Sequence, residues 1–226
     1  MTAAESGDWL TVHDTLLAAF GPQHWWPGDT PFEVMVGAVL TQNTAWTNVE
    51  KAIANLKAAD ALSCPAILGL EDSTLAELIR PAGFFNVKAK RLRALCAFLR
   101  DEGAAVAPER LANSALLPRL RHKLLAVHGV GEETADSILL YALNQPSFVV
   151  DAYTRRIFGR LGLVQGDETY GHIQAAFQRH LPMDLRLYNE YHALIVALGK
   201  DFCRPRPRCG QCPLAVFCTH AAATHN

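Results

Sequence analysis

Leu124 to Leu140 reads LLAVHGVGEETADSILL: an apolar helical run, a turn with two glycines, and a second helical run. The pattern predicts a helix closing at His128, a turn through Gly129-Val130-Gly131, and a new helix opening near Glu132. Glycine serves where φ must be positive and where another backbone must come close. Glu132 and Glu133 put negative charge in the first turn of the new helix, which the macrodipole favours, and Thr134 and Ala135 keep that turn slim. N–H groups left open at Gly129, Gly131 and the helix start form an anion site suited to a nucleic-acid phosphate. The same pattern also suits an ordinary tight αα-hairpin.

Outward from the hairpin the periodicity stays helical. Phe32 to Leu40, Val49 to Leu56, Leu75 to Ile79, Leu92 to Leu99, Leu116 to Val127 and Tyr191 to Leu198 carry apolar residues three or four apart. Breakers separate them at Pro27-Gly28, Ser63-Cys64-Pro65, Pro81-Ala82-Gly83, Asp101-Glu102-Gly103, His128-Gly129 and Asn144-Gln145-Pro146. Phe148-Val149-Val150 is the one convincing extended run, and it is too short to form a sheet. The chain therefore reads as all-α, with about ten short helices and no internal repeat. Its 226 residues suffice for one large domain or two small ones sharing a core. Half are apolar and 19% charged, which excludes a disordered chain, and a net charge of -1 does not by itself favour nucleic acid. Apolar runs are broken well before the roughly 18 residues of a membrane span. The acidic, polar stretch Met1 to Asp8 is no secretory signal, which points to an intracellular protein.

Local charge carries more. Lys88, Lys90, Arg91 and Arg93 form one basic run, Arg155, Arg156 and Arg160 another, and Arg204, Arg206 and Arg208 a third. Each either meets phosphate or is a solvated helix face. Cys64 and Cys96 stand alone in helical surroundings, as small buried hydrophobes do. Cys203, Cys209, Cys212 and Cys218 instead form C-x5-C-x2-C-x5-C, which in an intracellular chain points to metal ligation. Four thiolates suit either a [4Fe–4S] cluster or a tetrahedral zinc. Pro205 and Pro207 stiffen the loop between the first two cysteines, so its arginines can meet phosphates with less loss of entropy. Asp151 follows three apolar residues. A carboxylate carried into a pocket needs helix dipoles or hydrogen bonds to stay ionised, and there it can stabilise a positive sugar or activate a water. It is equally fitted to cap a helix starting at Ala152, and both roles can hold at once.

Gly129-Val130-Gly131-x-x-Thr134-Ala135 followed by Val149-Val150-Asp151 resembles the helix-hairpin-helix plus Gly/Pro-Asp signature of the endonuclease III superfamily of DNA glycosylases. Asp151 stands the family's 18 residues beyond Glu133. The resemblance, which runs from Phe32 to Cys218, implies a two-lobed fold. A six-helix barrel lobe over 31–145 would carry the hairpin at 124–140. A helical lobe from 1–30 and 146–226 would carry the cysteine loop at 203–218, with a base pocket between the lobes. The resemblance further implies that Asp151 drives removal of a damaged base from double-stranded DNA. Gly129, Val130, Gly131, Thr134, Arg204, Arg206 and Arg208 would hold the DNA. Cys203, Cys209, Cys212 and Cys218 would hold a [4Fe–4S] cluster in preference to zinc, although the first spacing is one residue shorter than the family's C-x6-C. A cytoplasmic, nucleoid-associated monomer completes that expectation.

Family members that also nick the DNA backbone carry a Schiff-base lysine where this chain has Glu133. The expectation is a monofunctional glycosylase, with Lys123 and Lys88 the other amines to test. Such an enzyme suits a base that leaves readily, such as a cationic 3-methyladenine. Glu133 also suits a cationic ligand, or merely the helix dipole. Trp25, Trp26 and Pro27, with Gln42 and Trp46, fall where the family builds its base pocket, and indoles stack well on cationic bases. They could instead form a lid. Asn43 falls where the family fills the gap left by the flipped base, and Phe84 where it inserts an apolar wedge. This set most resembles the 3-methyladenine glycosylase branch. Thymine or uracil mismatch glycosylases, bifunctional endonuclease III-like enzymes, a non-catalytic hairpin module and a metal-based redox switch remain as alternatives.

Overall fold

The computed structural model describes the backbone of residues 3–114 and 116–224, and side chains of 8–112 and 116–223. The acidic stretch Met1 to Asp8 therefore lies almost wholly outside the described side chains. The described residues are helical, without a strand. No described helix is long and apolar enough to cross a membrane.

The α-helices are α1 (Ala3–Phe20), α2 (Pro31–Leu40), α3 (Trp46–Ala58), α4 (Cys64–Gly69), α5 (Asp72–Leu78), α6 (Phe85–Asp101), α7 (Leu111–Ser114), α8 (Leu117–Leu125), α9 (Glu132–Ser137), α10 (Ala152–Leu161), α11 (Tyr170–His180), α12 (Leu185–Asp201) and α13 (Thr219–Thr224). This exceeds the expected number because short helices hide in punctuation. Ser63-Cys64-Pro65 reads as a breaker, yet Ser63 caps α4 by accepting from the Ala66 N–H, and Pro65 sits in its first turn.

Two compact units divide the chain. One comprises Trp26–Gln145, the other Met1–Trp25 with Pro146–Asn226. In the first, α2 is the central helix, packed against α3, α6 and α9. Thr30 caps it, Pro31 opens it, and every residue from Phe32 to Leu40 is buried. Beyond α9 the helix continues through a π-type turn over Ile138–Ala142, all buried, that closes with Leu143 N–H on the Ile138 carbonyl. In the second unit α12 packs against α1 and α10. Its core is aromatic: Phe148 stacks on Phe177 at 3.8 Å, and Trp9, Phe158 and Tyr191 close around them. Phe148-Val149-Val150 is buried and unpaired by any strand. Side chains meet its backbone instead: Gln174 donates to the Phe148 carbonyl at 2.7 Å, and the Val150 N–H donates to the Tyr170 hydroxyl at 3.2 Å. Those bonds let a lone extended segment lie in a core and deliver Asp151 at its end.

Candidate functional site

Asp151 is the N-cap of α10. Its Oδ1 accepts from the Thr154 N–H at 2.7 Å and from the Thr154 hydroxyl at 2.9 Å. Its Oδ2 lies 3.7 Å from His192 Nε2, and the Asp151 side chain keeps 13% of its surface exposed. Capping consumes one oxygen and leaves the other for chemistry. His192 is buried in α12, and that burial pushes its imidazole below the usual 6.5, against an opposing pull from Asp151. A neutral imidazole does not cancel the carboxylate's charge. Sequence reading missed His192, which stands in an apolar helix with no spacing that ties it to Asp151.

The hairpin turns as its glycines predict, although α8 ends at Leu125, three residues before His128. The chain then tightens through Val127 N–H on the Leu124 carbonyl and Val130 N–H on the Val127 carbonyl. Gly129 has φ +83°, and a Cβ there would run into the Arg91 side chain. Gly131 caps α9 in extended geometry without a side-chain bond. Thr134 is buried and its hydroxyl accepts from Gln42, so it can offer DNA only its backbone. Glu133 is exposed in the first turn of α9. Behind the turn, Arg121 grips the buried Asp136 through two bonds, 2.8 and 2.9 Å, bracing α8 to α9.

Gln42 lies against the hairpin. Its amide N–H donates to the Gly129 carbonyl at 3.0 Å and to the Thr134 hydroxyl at 2.8 Å, while its oxygen accepts from Arg91. It ties a loop to the hairpin. Neighbouring Asn43 is exposed with φ +53°, and Phe84 caps α6 with φ +45° and 70% of its surface exposed. Phe85 is half-buried beneath the Arg80 guanidinium.

Trp25 and Trp26 fall at the boundary of the two units, one in each. Trp25 is half-buried with the Lys200 ammonium 5.5 Å from its ring. Trp26 meets Trp46 edge-on at 5.2 Å and Tyr141 at 5.1 Å, so Tyr141 joins the set unforeseen. Gly37 makes room, for a Cβ there would press on both Trp26 and Trp46. Trp46 Nε1 donates to Glu50 at 2.9 Å, and with Pro27 the pair lines a groove of about 350 Å³. Asp29 and Glu33 on its wall are both engaged by Lys57.

The basic runs divide by what they touch. Arg204, Arg206 and Arg208 are exposed, as phosphate contacts require. Arg155, Arg156 and Arg160 are instead structural. Arg155 donates to the Glu168 carbonyl, Arg156 to the Cys203 carbonyl at 2.8 Å, and Arg160 to the Arg204 and Pro205 carbonyls. In the first run Lys88 is buried and Arg93 pairs with Asp72 at 2.7 Å, leaving Lys90 exposed. Both candidate amines are engaged: Lys88 donates to three oxygens, and Lys123 pairs with Glu102 at 2.5 Å.

Cys64 and Cys96 are buried, with the Cys64 thiol donating to the Cys96 carbonyl, and burial pushes both thiols up. Cys203, Cys209, Cys212 and Cys218 are free and partly exposed. Arg160 gathers two of them, donating to Cys203 Sγ at 3.3 Å and accepting from Cys218 Sγ at 3.3 Å. Burial raises the Cys212 thiol, and the other three thiols raise it further. The positive charge of a bound metal would offset that effect at Cys212. Among the described residues no three such side chains stand in metal-holding geometry.

A model of HhH-GPD superfamily base excision DNA repair proteins matches residues 36–183. A Methanocaldococcus jannaschii protein provisionally named a DNA repair glycosylase is 50% identical over 208 residues, covering 92% of this chain and 94% of that protein. Among solved structures, a non-covalent endonuclease III–DNA complex covers 100% of this chain and 99% of its own at a TM-score of 0.83. Its 22% identity speaks to the fold, and the expected helix-hairpin-helix glycosylase fold is borne out. An H. pylori 3-methyladenine DNA glycosylase bound to 1,N6-ethenoadenine matches at a TM-score of 0.73 and 32% identity, covering 86% of this chain and 97% of that one. A match across the hairpin and Asp151, with half identity to a nearly full-length relative, makes this chain a member of the HhH-GPD superfamily of base excision repair DNA glycosylases.

Proposed function

We propose that this glycosylase is monofunctional, hydrolysing the bond between deoxyribose and an alkylated purine such as 3-methyladenine and stopping at the abasic site. The observation that carries this is Asp151, anchored through one carboxylate oxygen with the second oxygen beside a neutral histidine, in a chain with Glu133 at the Schiff-base position. The C1′–N bond breaks with its electron pair going to the base, which leaves neutral because methylation had made it cationic. The carboxylate faces the positive sugar that remains, and water adds at C1′, losing its proton to Asp151 or to solvent. Trp26, Trp46 and Tyr141, with Trp25, Pro27 and Glu133, supply aromatic faces and negative charge suited to a cationic purine. Asn43 and Phe84 serve the duplex: the first fills the gap and the second wedges the opposite strand. The backbone of Gly129, Val130, Gly131 and Thr134, with the exposed arginines at 204, 206 and 208, meets phosphates.

The H. pylori relative supports the alkylated-purine reading, being named for 3-methyladenine and bound to a modified adenine. The four cysteines would hold a [4Fe–4S] cluster, or failing that zinc, which would fasten the arginine loop. Visible charge-transfer absorbance distinguishes the two.

The test presents purified protein with duplexes carrying alkylated, deaminated or oxidised bases, and adds borohydride to abasic DNA. Release of alkylated purines without a covalent adduct is expected. Strong trapping overturns the monofunctional assignment, and a preference for mismatched thymine or uracil overturns the substrate assignment.

A further inference from the structure

Lys88, in the first turn of α6, is 1% exposed, an expensive place for an ammonium. All three of its donors are used on neutral oxygens from separate segments. They reach the Leu40 carbonyl at the end of α2 (2.8 Å), the Thr44 hydroxyl (2.6 Å) and the Ala82 carbonyl (2.8 Å). The Thr44 hydroxyl also donates to the Ala82 carbonyl at 2.5 Å. Burial first, and Arg91 one turn along the helix second, push the ammonium down to about 8, which still leaves it charged at neutral pH.

The two segments joined here each present an exposed residue in the left-handed region. Asn43 lies between Leu40 and Thr44 with φ +53°, and Phe84 lies two residues past Ala82 with φ +45°. Asparagine tolerates that conformation, whereas phenylalanine rarely adopts it. Such backbone persists only where its surroundings over-determine it. Here the surroundings common to both segments are one lysine and one threonine, while Gln42 ties the Asn43 loop alone to the hairpin.

We propose that Lys88 is a positioning residue that clamps the Asn43 loop to the Phe84 turn, so that both side chains enter the duplex as one rigid fork. This rests on the reading of the chain as a glycosylase that extrudes its target base. With the fork set before binding, DNA is opened without loss of loop entropy at that moment. Lysine suits the post because its three donors diverge, whereas the planar guanidinium of arginine cannot serve three oxygens around one nitrogen.

The test compares the full-length protein with Lys88→Met, Lys88→Arg and Thr44→Val. Each is given 3-methyladenine in a paired duplex and 3-methyladenine already unpaired in a bulge. A 2-aminopurine beside the lesion reports stack opening by its fluorescence. All three variants should lose about tenfold or more of paired-duplex excision through kcat, together with the fluorescence rise, and keep bulge excision within about threefold. Equal loss on both substrates, no loss on either, or full rescue by Lys88→Arg overturns the clamp. If Lys88→Met fails to fold by circular dichroism, Thr44→Val, which removes one hydroxyl with its two bonds and no charge, makes the same comparison. A wild-type protein that releases 3-methyladenine from neither substrate refutes the alkylated-purine assignment, while its 2-aminopurine signal on binding still tests the clamp.

Discussion

Asp151→Asn separates the two tasks of the carboxylate. Oδ1 holds the start of α10 by taking both Thr154 donors at 2.7 and 2.9 Å. Asparagine is as good an N-cap as aspartate, so its amide oxygen keeps both bonds and loses only their charge assistance, about 1 kcal/mol or less. Asp151→Ala would forfeit the cap as well, about 0.5–2 kcal/mol. The loss of rate is of another size. A full negative charge about 4 Å from a cationic sugar contributes about 4 kcal/mol at an effective dielectric near 20. At about 1.4 kcal/mol per decade, its removal slows bond cleavage roughly 10³-fold. The neutral, buried His192 supplies no replacement charge. Single-turnover release of 3-methyladenine, measured beside thermal melting, reads both quantities. The Asn variant should melt within about 4 °C of wild type and lose about three decades of rate. A variant that melts normally and excises within tenfold of wild type would refute the electrostatic role. One that unfolds would show that capping and chemistry cannot be separated.

His192 makes the fold sensitive to acid. Its folded imidazole binds a proton at lower pH than the unfolded one, so below about 6.5 the unfolded chain holds more protons and stability falls as pH drops, until the lowered folded pKa is passed. Urea unfolding at about pH 7.5 and about pH 5.5 should show that loss, and His192→Gln should shrink it; an identical slope in the variant counts against this account. Phe84→Gly should raise the melting temperature by about 2–4 °C, because glycine relieves about 1 kcal/mol of left-handed strain and an exposed ring gives up little burial. The same variant should excise poorly from paired DNA, and a lower melting temperature would contradict the strain argument. Asp136→Ala breaks a buried bidentate pair and should cost about 3 kcal/mol in urea unfolding, the low end for such pairs because Arg121 is partly exposed and keeps Glu132 at 3.6 Å. A loss below about 1 kcal/mol would mean that the pair does not brace the hairpin.

Local physics made much of the fold legible. Helical periodicity marked α2, α3, α6 and α12, and the Gly129 turn followed from a position where φ must be positive. Boundaries were less accessible, because a chain leaving α8 tightens through i to i−3 bonds that composition does not reveal. Charge runs misled most. Arg155, Arg156 and Arg160 look like a basic face, and nothing in a row of guanidinium groups says that they turn to backbone carbonyls, Arg155 to that of Glu168 and the other two to those of the cysteine loop. A cation near helix-terminal carbonyls is stabilising whether or not DNA is near, so the pattern alone does not separate the uses.

Within the site, the placement of Asp151 was legible because it depends on neighbours in sequence: an apolar run that delivers it and a helix that receives it. Residues set by distant partners were not. His192 reaches Asp151 from α12, and Tyr141 reaches Trp26 from the turn after α9. Gln42 shows the consequence most clearly. Motif position put it beside the flipped base, yet both ends of its amide are spent on Arg91 and the hairpin. A side chain so committed cannot also read a base without breaking bonds of about 1 kcal/mol each, more where the partner is charged. The open side chain on that loop is Asn43, exposed and in the left-handed region that asparagine tolerates. Exposed and hydrogen-bonded side chains thus alternate along one short segment. A motif names the segment, and only the hydrogen bonds sort its members.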